Sequence, residues 1–132
     1  MNAAATSESP RPEGAGSALI VFAQADLRSS LQTVSWCLSR GKLDTLFVYH
    51  TPATAADAER LRKLCNRQWP DLKVVVPGEP GGDRSAQVIE RIRDWRRFRP
   101  NLDGWVLDGT GALPSMMAAV SRAGEESPDW LL

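Results

Sequence analysis

Residues 18–23 read Ala-Leu-Ile-Val-Phe-Ala. A short continuous apolar run with no polar alternation describes a strand buried on both faces. The period then changes. Over Ser29–Arg40, Leu31, Val34, Cys37 and Leu38 fall on one helical stripe, and Gly41 stands where that helix would end. The same strand-then-helix unit returns along the chain. Thr45–His50 (TLFVYH) is a second strand, and a helix follows from a Thr54 N-cap, burying Ala58, Leu61 and Cys65 with Trp69 at its margin before Pro70 stops it. Leu72–Val76 (LKVVV) is a third strand, ahead of a helix from about Asp83 to Phe98 that turns Val88, Ile89, Ile92 and Trp95 inward. Gly104–Leu107 with its neighbours (DGWVLD) is the fourth strand, and a fourth helix begins near Pro114 with Met116, Met117 and Val120 as its apolar face.

Apolar strands separated by amphipathic helices imply βαβ units and a parallel sheet. The expected fold is therefore α/β, a Rossmann-like three-layer arrangement with strand order 3-2-1-4-(5). Asp129-Trp130-Leu131-Leu132 reads as the opening of strand five, so the domain, 18–132, is expected to continue past Leu132. Residues 1–17 carry small residues, Pro and Gly with no hydrophobic period, and are expected to be a disordered tail. They show neither the basic start nor the apolar stretch of a secretory leader, and a cytoplasmic location is expected.

The chain has 132 residues, 42% of them hydrophobic, and 16 basic side chains balance 16 acidic ones. A net charge of zero argues against binding nucleic acid through bulk electrostatics, so no direct DNA binding by this domain is expected. No apolar run reaches the roughly 18–20 residues of a membrane span. Cys37 and Cys65 both fall on apolar helix positions and read as free thiols in a reducing compartment.

In open parallel sheets, ligands bind beyond the carboxyl ends of the strands, where strand order reverses. Here that is between strands one and four, which selects the loops Gln24–Ser30 and Asp108–Ser115, with Thr51–Pro52 and Pro77–Gly82 as the outer rim. The segment Asp108–Ser115 (DGTGALPS) is the richest in signals. Gly109 and Gly111 permit close backbone approach, Thr110 and Ser115 add hydroxyls, and Pro114 suits the first position of a helix whose amino end would seat an anion. The same pattern also fits an ordinary tight βα turn. The first loop has no glycine, which excludes a dinucleotide fingerprint, and no Gly-Lys-Ser/Thr phosphate loop occurs.

Other features carry less. His50 is the only histidine and has no nucleophile fixed beside it by sequence. Asp26 and Asp108 would suit a magnesium ion only as a pair, and such aspartates commonly end strands without metal. Arg91-Ile92-Arg93-Asp94-Trp95-Arg96-Arg97-Phe98-Arg99 fits an RNA or acidic-partner contact and equally a solvated helix end. Pro77–Asp83 (PGEPGGD) reads as a flexible connector, or as a lid.

Asp108-Gly109-Thr110-Gly111-Ala112-Leu113-Pro114-Ser115-Met116 resembles the signature Asn-x-Thr-Gly-Gly-Thr-Lys-x-Met that follows the fourth strand in CARF domains, the Rossmann-fold sensors of CRISPR antiviral defence. Thr110, Gly111 and Met116 match. Asp108 stands for Asn, Ala112 for Gly, Leu113 for Thr and Pro114 for Lys. Leu43–Cys65 is also similar to CARF sensors fused to nucleases. The resemblance implies a homodimer that binds a cyclic oligoadenylate, of a ring size the residues leave open, and regulates a C-terminal effector. It implies ligand contacts from Gln24, Ser29, Asp108, Gly109, Thr110, Gly111, Ala112, Leu113 and Ser115, with Thr51 on the rim, and no cofactor, metal or catalytic residue. Pro114 cannot supply the lysine's charge and Leu113 lacks the hydroxyl, so affinity or ligand choice is expected to differ from the family's. Two alternatives remain: a ring nuclease acting through backbone amides near Gly111 with Thr110 or Ser115, and a receiver-like signalling domain, whose acidic cluster this sequence matches poorly.

Overall fold

The computed structural model describes residues 16–41 and 43–126. Four parallel strands, β1 (Gly16–Phe22), β2 (Leu43–Tyr49), β3 (Lys73–Val75) and β4 (Leu102–Asp108), form one sheet in the order β3-β2-β1-β4. Helices α1 (Leu27–Arg40), α2 (Ala55–Gln68), α3 (Ser85–Arg97) and α4 (Met117–Glu126) connect or follow them. The expected α/β Rossmann-like order is the observed one as far as strand four. Strand five, expected at 129–132, lies outside the described residues, as does the tail up to residue 15. Gly16 and Ser17 do not belong to a tail: they open β1, pairing with Leu102, Leu43 and Gly104.

The two-residue period of the strands divides the core into two layers. Ala18, Ile20 and Phe22 of β1, Phe47 and Tyr49 of β2, and Trp105 and Leu107 of β4 face α3 and α4, meeting Val88, Ile92, Trp95, Met116 and Val120. The alternate residues Leu19, Val21, Leu46 and Val48 face α1 and α2, meeting Val34, Ala58, Leu61 and Cys65. The first layer is aromatic: Phe47 lies 5.0 Å from Trp95 and 5.2 Å from Trp105 between ring centroids. Offset contacts of this kind add about 1 kcal/mol each beyond the area they bury.

Element ends show what local pattern misses. Gly41 does end α1, but its φ of 177° is extended backbone open to any residue. Thr54 is the N-cap residue of α2, as expected, but its side chain makes no capping bond to that helix. Its Oγ1 instead accepts the Thr51 amide at 3.0 Å, closing a short 3-10 turn, Pro52–Thr54. A similar turn, Pro114–Met116, leads into α4. It rotates the helix so that Met116, Ala119 and Val120 are buried while Met117, expected inside, is 42% exposed. No helix among the described residues is long and apolar enough to cross a membrane.

Candidate functional site

The bend after β4 is organised by Asp108, and its carboxylate points inward. Asp108 is buried. Its Oδ1 accepts the Thr110 amide at 3.0 Å and the Thr110 hydroxyl at 2.5 Å, a turn closed by its own side chain. Its Oδ2 accepts the hydroxyl of Thr33, halfway along α1, at 2.6 Å. Hydrogen bonds to a charged acceptor are worth about 1.5–3 kcal/mol, and these fix the bend against α1. The Asp108 side chain is therefore a structural brace between the bend and α1.

Gly111 is needed for a reason other than ligand approach. A Cβ there would lie 2.5 Å from the Phe22 carbonyl oxygen and 2.9 Å from the Gln24 side-chain nitrogen. The bend thus packs directly on the end of β1 and on the first loop, bringing together the two segments singled out between strands one and four. Ala112 donates its amide to the Gly109 carbonyl at 2.9 Å, and Met116 to Leu113 at 2.9 Å. The bend's internal hydrogen bonds use the amides of Thr110, Ala112 and Met116, leaving those of Gly111, Leu113 and Ser115 outside that set.

Gly111 and Leu113 share a narrow crevice, about 30 Å³, with Ala23, His50, Thr51 and Thr54. That is room for about one water. Of the expected ligand residues, Thr51, Gly111 and Leu113 line it directly. Gln24 packs beside Gly111, while Gly109, Thr110, Ala112 and Ser115 complete the bend. Ser29 lies in the first turn of α1 and does not line the crevice. The mouth is a surface with a slot in it. Leu113 is 45% exposed beside it, and Met117 is similarly bare.

The hydroxyls expected at this mouth are engaged. Thr110 donates to Asp108, and Ser115 donates to the Asp83 carbonyl at 2.6 Å while Ser85 donates to the Ser115 carbonyl at 2.8 Å. These reciprocal bonds tie the bend to the start of α3. Asp26 accepts the Arg28 amide at 3.1 Å as the N-cap of α1. Each aspartate of the conceivable magnesium pair thus has its own structural task, and no group of three or more His, Cys, Asp or Glu suited to a metal occurs among the described residues.

The rim after β3 is held down. His50, buried, donates Nε2–H to the Pro77 carbonyl at 2.9 Å; Gly81 donates its amide to the His50 carbonyl at 2.7 Å; Tyr49 donates its hydroxyl to the Gly82 carbonyl at 2.6 Å. Three bonds from the end of β2 make Pro77–Gly82 a pinned connector, which removes the lid reading. Nδ1 of His50 is buried and has no hydrogen-bond partner among the described residues. Burial raises the Tyr49 hydroxyl above its ordinary pKa, with Arg91 opposing the rise, so the phenol stays a donor.

Thr33, Tyr49, Asp83 and Ser85 hold this mouth together, and none was legible beforehand: Thr33 and Asp108 stand 75 residues apart. A scan of protein-family models matches none to this chain, and no curated protein is significantly similar to it.

Proposed function

We propose that the chain is a sensor domain of the CARF type, binding a cyclic oligoadenylate across the carboxyl mouths of a cytoplasmic homodimer and regulating an effector. The observation that carries the reading is the contact of Gly111 with the Phe22 carbonyl. It sets the motif-bearing bend at the junction of β1 and β4, the position at which parallel sheets hold nucleotides. The amides of Gly111, Leu113 and Ser115 are the phosphate donors in this reading. A shallow, self-complementary mouth suits a flat ring enclosed by two copies better than a small molecule held by one. Leu113 and Met117, apolar and exposed beside the bend, supply the contact between copies. Ligand binding then acts by stabilising the dimer.

Calorimetry and sedimentation with cyclic tetra-adenylate and cyclic hexa-adenylate test this. One ring is expected to bind per dimer and to shift the chain toward dimer. Leu113→Asp adds a carboxylate at the seat without disturbing the core, and is expected to weaken binding by at least about tenfold, since a like charge beside the phosphate costs about 1 kcal/mol or more. The ring is expected to be recovered intact, because the Thr110 and Ser115 hydroxyls are engaged within the protein. No heat and no change of mass with either ring would end the proposal.

A further inference from the structure

The opposite end of the sheet carries a second feature. The C-terminal part of α3 and the start of β4 enclose a groove of about 520 Å³ lined by Arg93, Arg96, Arg97, Arg99, Asp103 and Trp105. Within 91–99 there are five arginines, no lysine and one acid, Asp94, a local excess of +4 (five minus one) in a chain whose net charge is zero. The acid pairs with Arg97. The guanidinium of Arg96 lies 5.9 Å from the centre of the Trp105 ring, and that of Arg99 lies 5.0 Å from Phe47. A guanidinium held over a ring has fewer orientations open to it than one free in solvent, so Arg96 and Arg99 are partly ordered at the groove they line. Beside them Phe98 is 71% exposed, with Arg97 5.3 Å from its ring centre.

A solvated helix end accounts for the charge; Phe98, at the same helix end and outside the groove's own lining, adds an exposed ring next to Arg97. An acidic peptide would use the arginines and leave Phe98 idle. A chain that alternates phosphates with flat aromatic bases uses both: phosphates take the guanidinium edges, and a base stacks on Phe98. We infer that the Arg96–Arg99 groove is a binding site for single-stranded nucleic acid, independent of sequence and separate from the mouth at the carboxyl ends of the strands. The inference does not rest on the sensor reading. A net charge of zero is compatible with such a local basic site.

The test is fluorescence anisotropy of the full chain with labelled oligouridylate and oligothymidylate of about 20 nucleotides, long enough to exceed the site sizes of known single-strand binders. Binding in the micromolar range at low salt is expected, falling as salt rises. Phe98→Ala, which removes an exposed ring and spares the core, is expected to weaken both about tenfold. Arg96→Gln combined with Arg99→Gln is expected to flatten the slope of log K against log salt by about 1.4, near 0.7 per lost phosphate contact on a single strand; thermal unfolding verifies that this variant is folded. Equal affinity for both oligomers assigns the site to the shared phosphate-and-base chemistry, and preference for oligouridylate assigns it to RNA. No binding, binding indifferent to Phe98→Ala, or displacement by poly-glutamate as effective as by unlabelled oligomer each overturns the inference. A Phe98→Ala effect abolished by saturating cyclic oligoadenylate would overturn the separateness of the two sites.

Discussion

The two ends of the sheet solve opposite problems. At the carboxyl end, Asp108, Thr33, Thr110, Ser115, Ser85, Tyr49 and His50 bind one another or the backbone, and the loops close around a crevice of about 30 Å³. At the amino end, charge is laid over rings and left facing a groove of about 520 Å³. Polar groups at the first end therefore contribute to stability and those at the second contribute little, because a buried polar group left without its partner bears a desolvation penalty that an exposed one escapes. Residue type alone does not say which role a polar side chain has; its burial and partners do.

The contrast can be broken by substitution. Asp108→Ala removes the buried acceptor of the half-buried Thr33 hydroxyl, which keeps only the Ser29 carbonyl at 3.2 Å, and of the exposed Thr110, and is expected to lower unfolding free energy by about 2 kcal/mol in urea titration. A loss under about 1 kcal/mol would mean that the brace is ornamental. Gly111→Ala drives a methyl into the Phe22 carbonyl, backbone against backbone, and is expected to lose about 2 kcal/mol; a neutral result would show that the bend can lift off β1. At the other end Arg97→Gln removes an exposed ion pair with Asp94 and is expected to change stability by less than about 0.5 kcal/mol by the same measurement.

One effect belongs to neither end. Burial pushes the Cys65 thiol from 9.0 up to about 11. The folded chain thus keeps a proton that the unfolded chain sheds. Stability is expected to be intact below pH 9.0, to fall as pH rises from there, and to level near 11, by no more than about 3 kcal/mol. Tyr49, raised by burial in the same sense, adds to the fall at the upper end. Cys65→Ala is expected to flatten the first part of the curve. Burial raises Cys37 too, with the nearby Asp108 carboxylate adding to it, so both thiols are expected to react with a disulfide reagent more slowly than in the unfolded chain.

The division between legible and illegible features follows the same line. Strand runs such as residues 18–23, and helix stripes such as Val88, Ile92 and Trp95, were readable because a buried face repeats with the geometry of its own element. Even there, Met117 was misassigned: one 3-10 turn over Pro114–Met116 shifts the helix phase, and periodicity has no memory across such a turn. The loops between strands one and four are paired by topology, whereas the protein contacts of their residues are not legible in the sequence. A carboxylate and a glycine at a strand end suit a ligand, but nothing local announces that Asp108 bonds Thr33 or that Gly111 packs on Phe22, residues remote in sequence. The arginine run was visible as composition, but Phe98 standing bare beside guanidiniums held over Trp105 and Phe47 needed three dimensions.

The Thr33–Asp108 bond has a mechanical side. Helix α1 spans 14 residues, a stiff rod of about 21 Å at 1.5 Å per residue. Its midpoint is hooked to the bend, while its far end, Trp36 to Arg40, overhangs an apolar hollow of about 280 Å³ bordered by Leu43 and Val106. With Leu31, Cys37 and Leu38 of the same rod seated against the core, the bond works as a tie: it fixes the height of the bend above β1 to a helix that is itself anchored along its length.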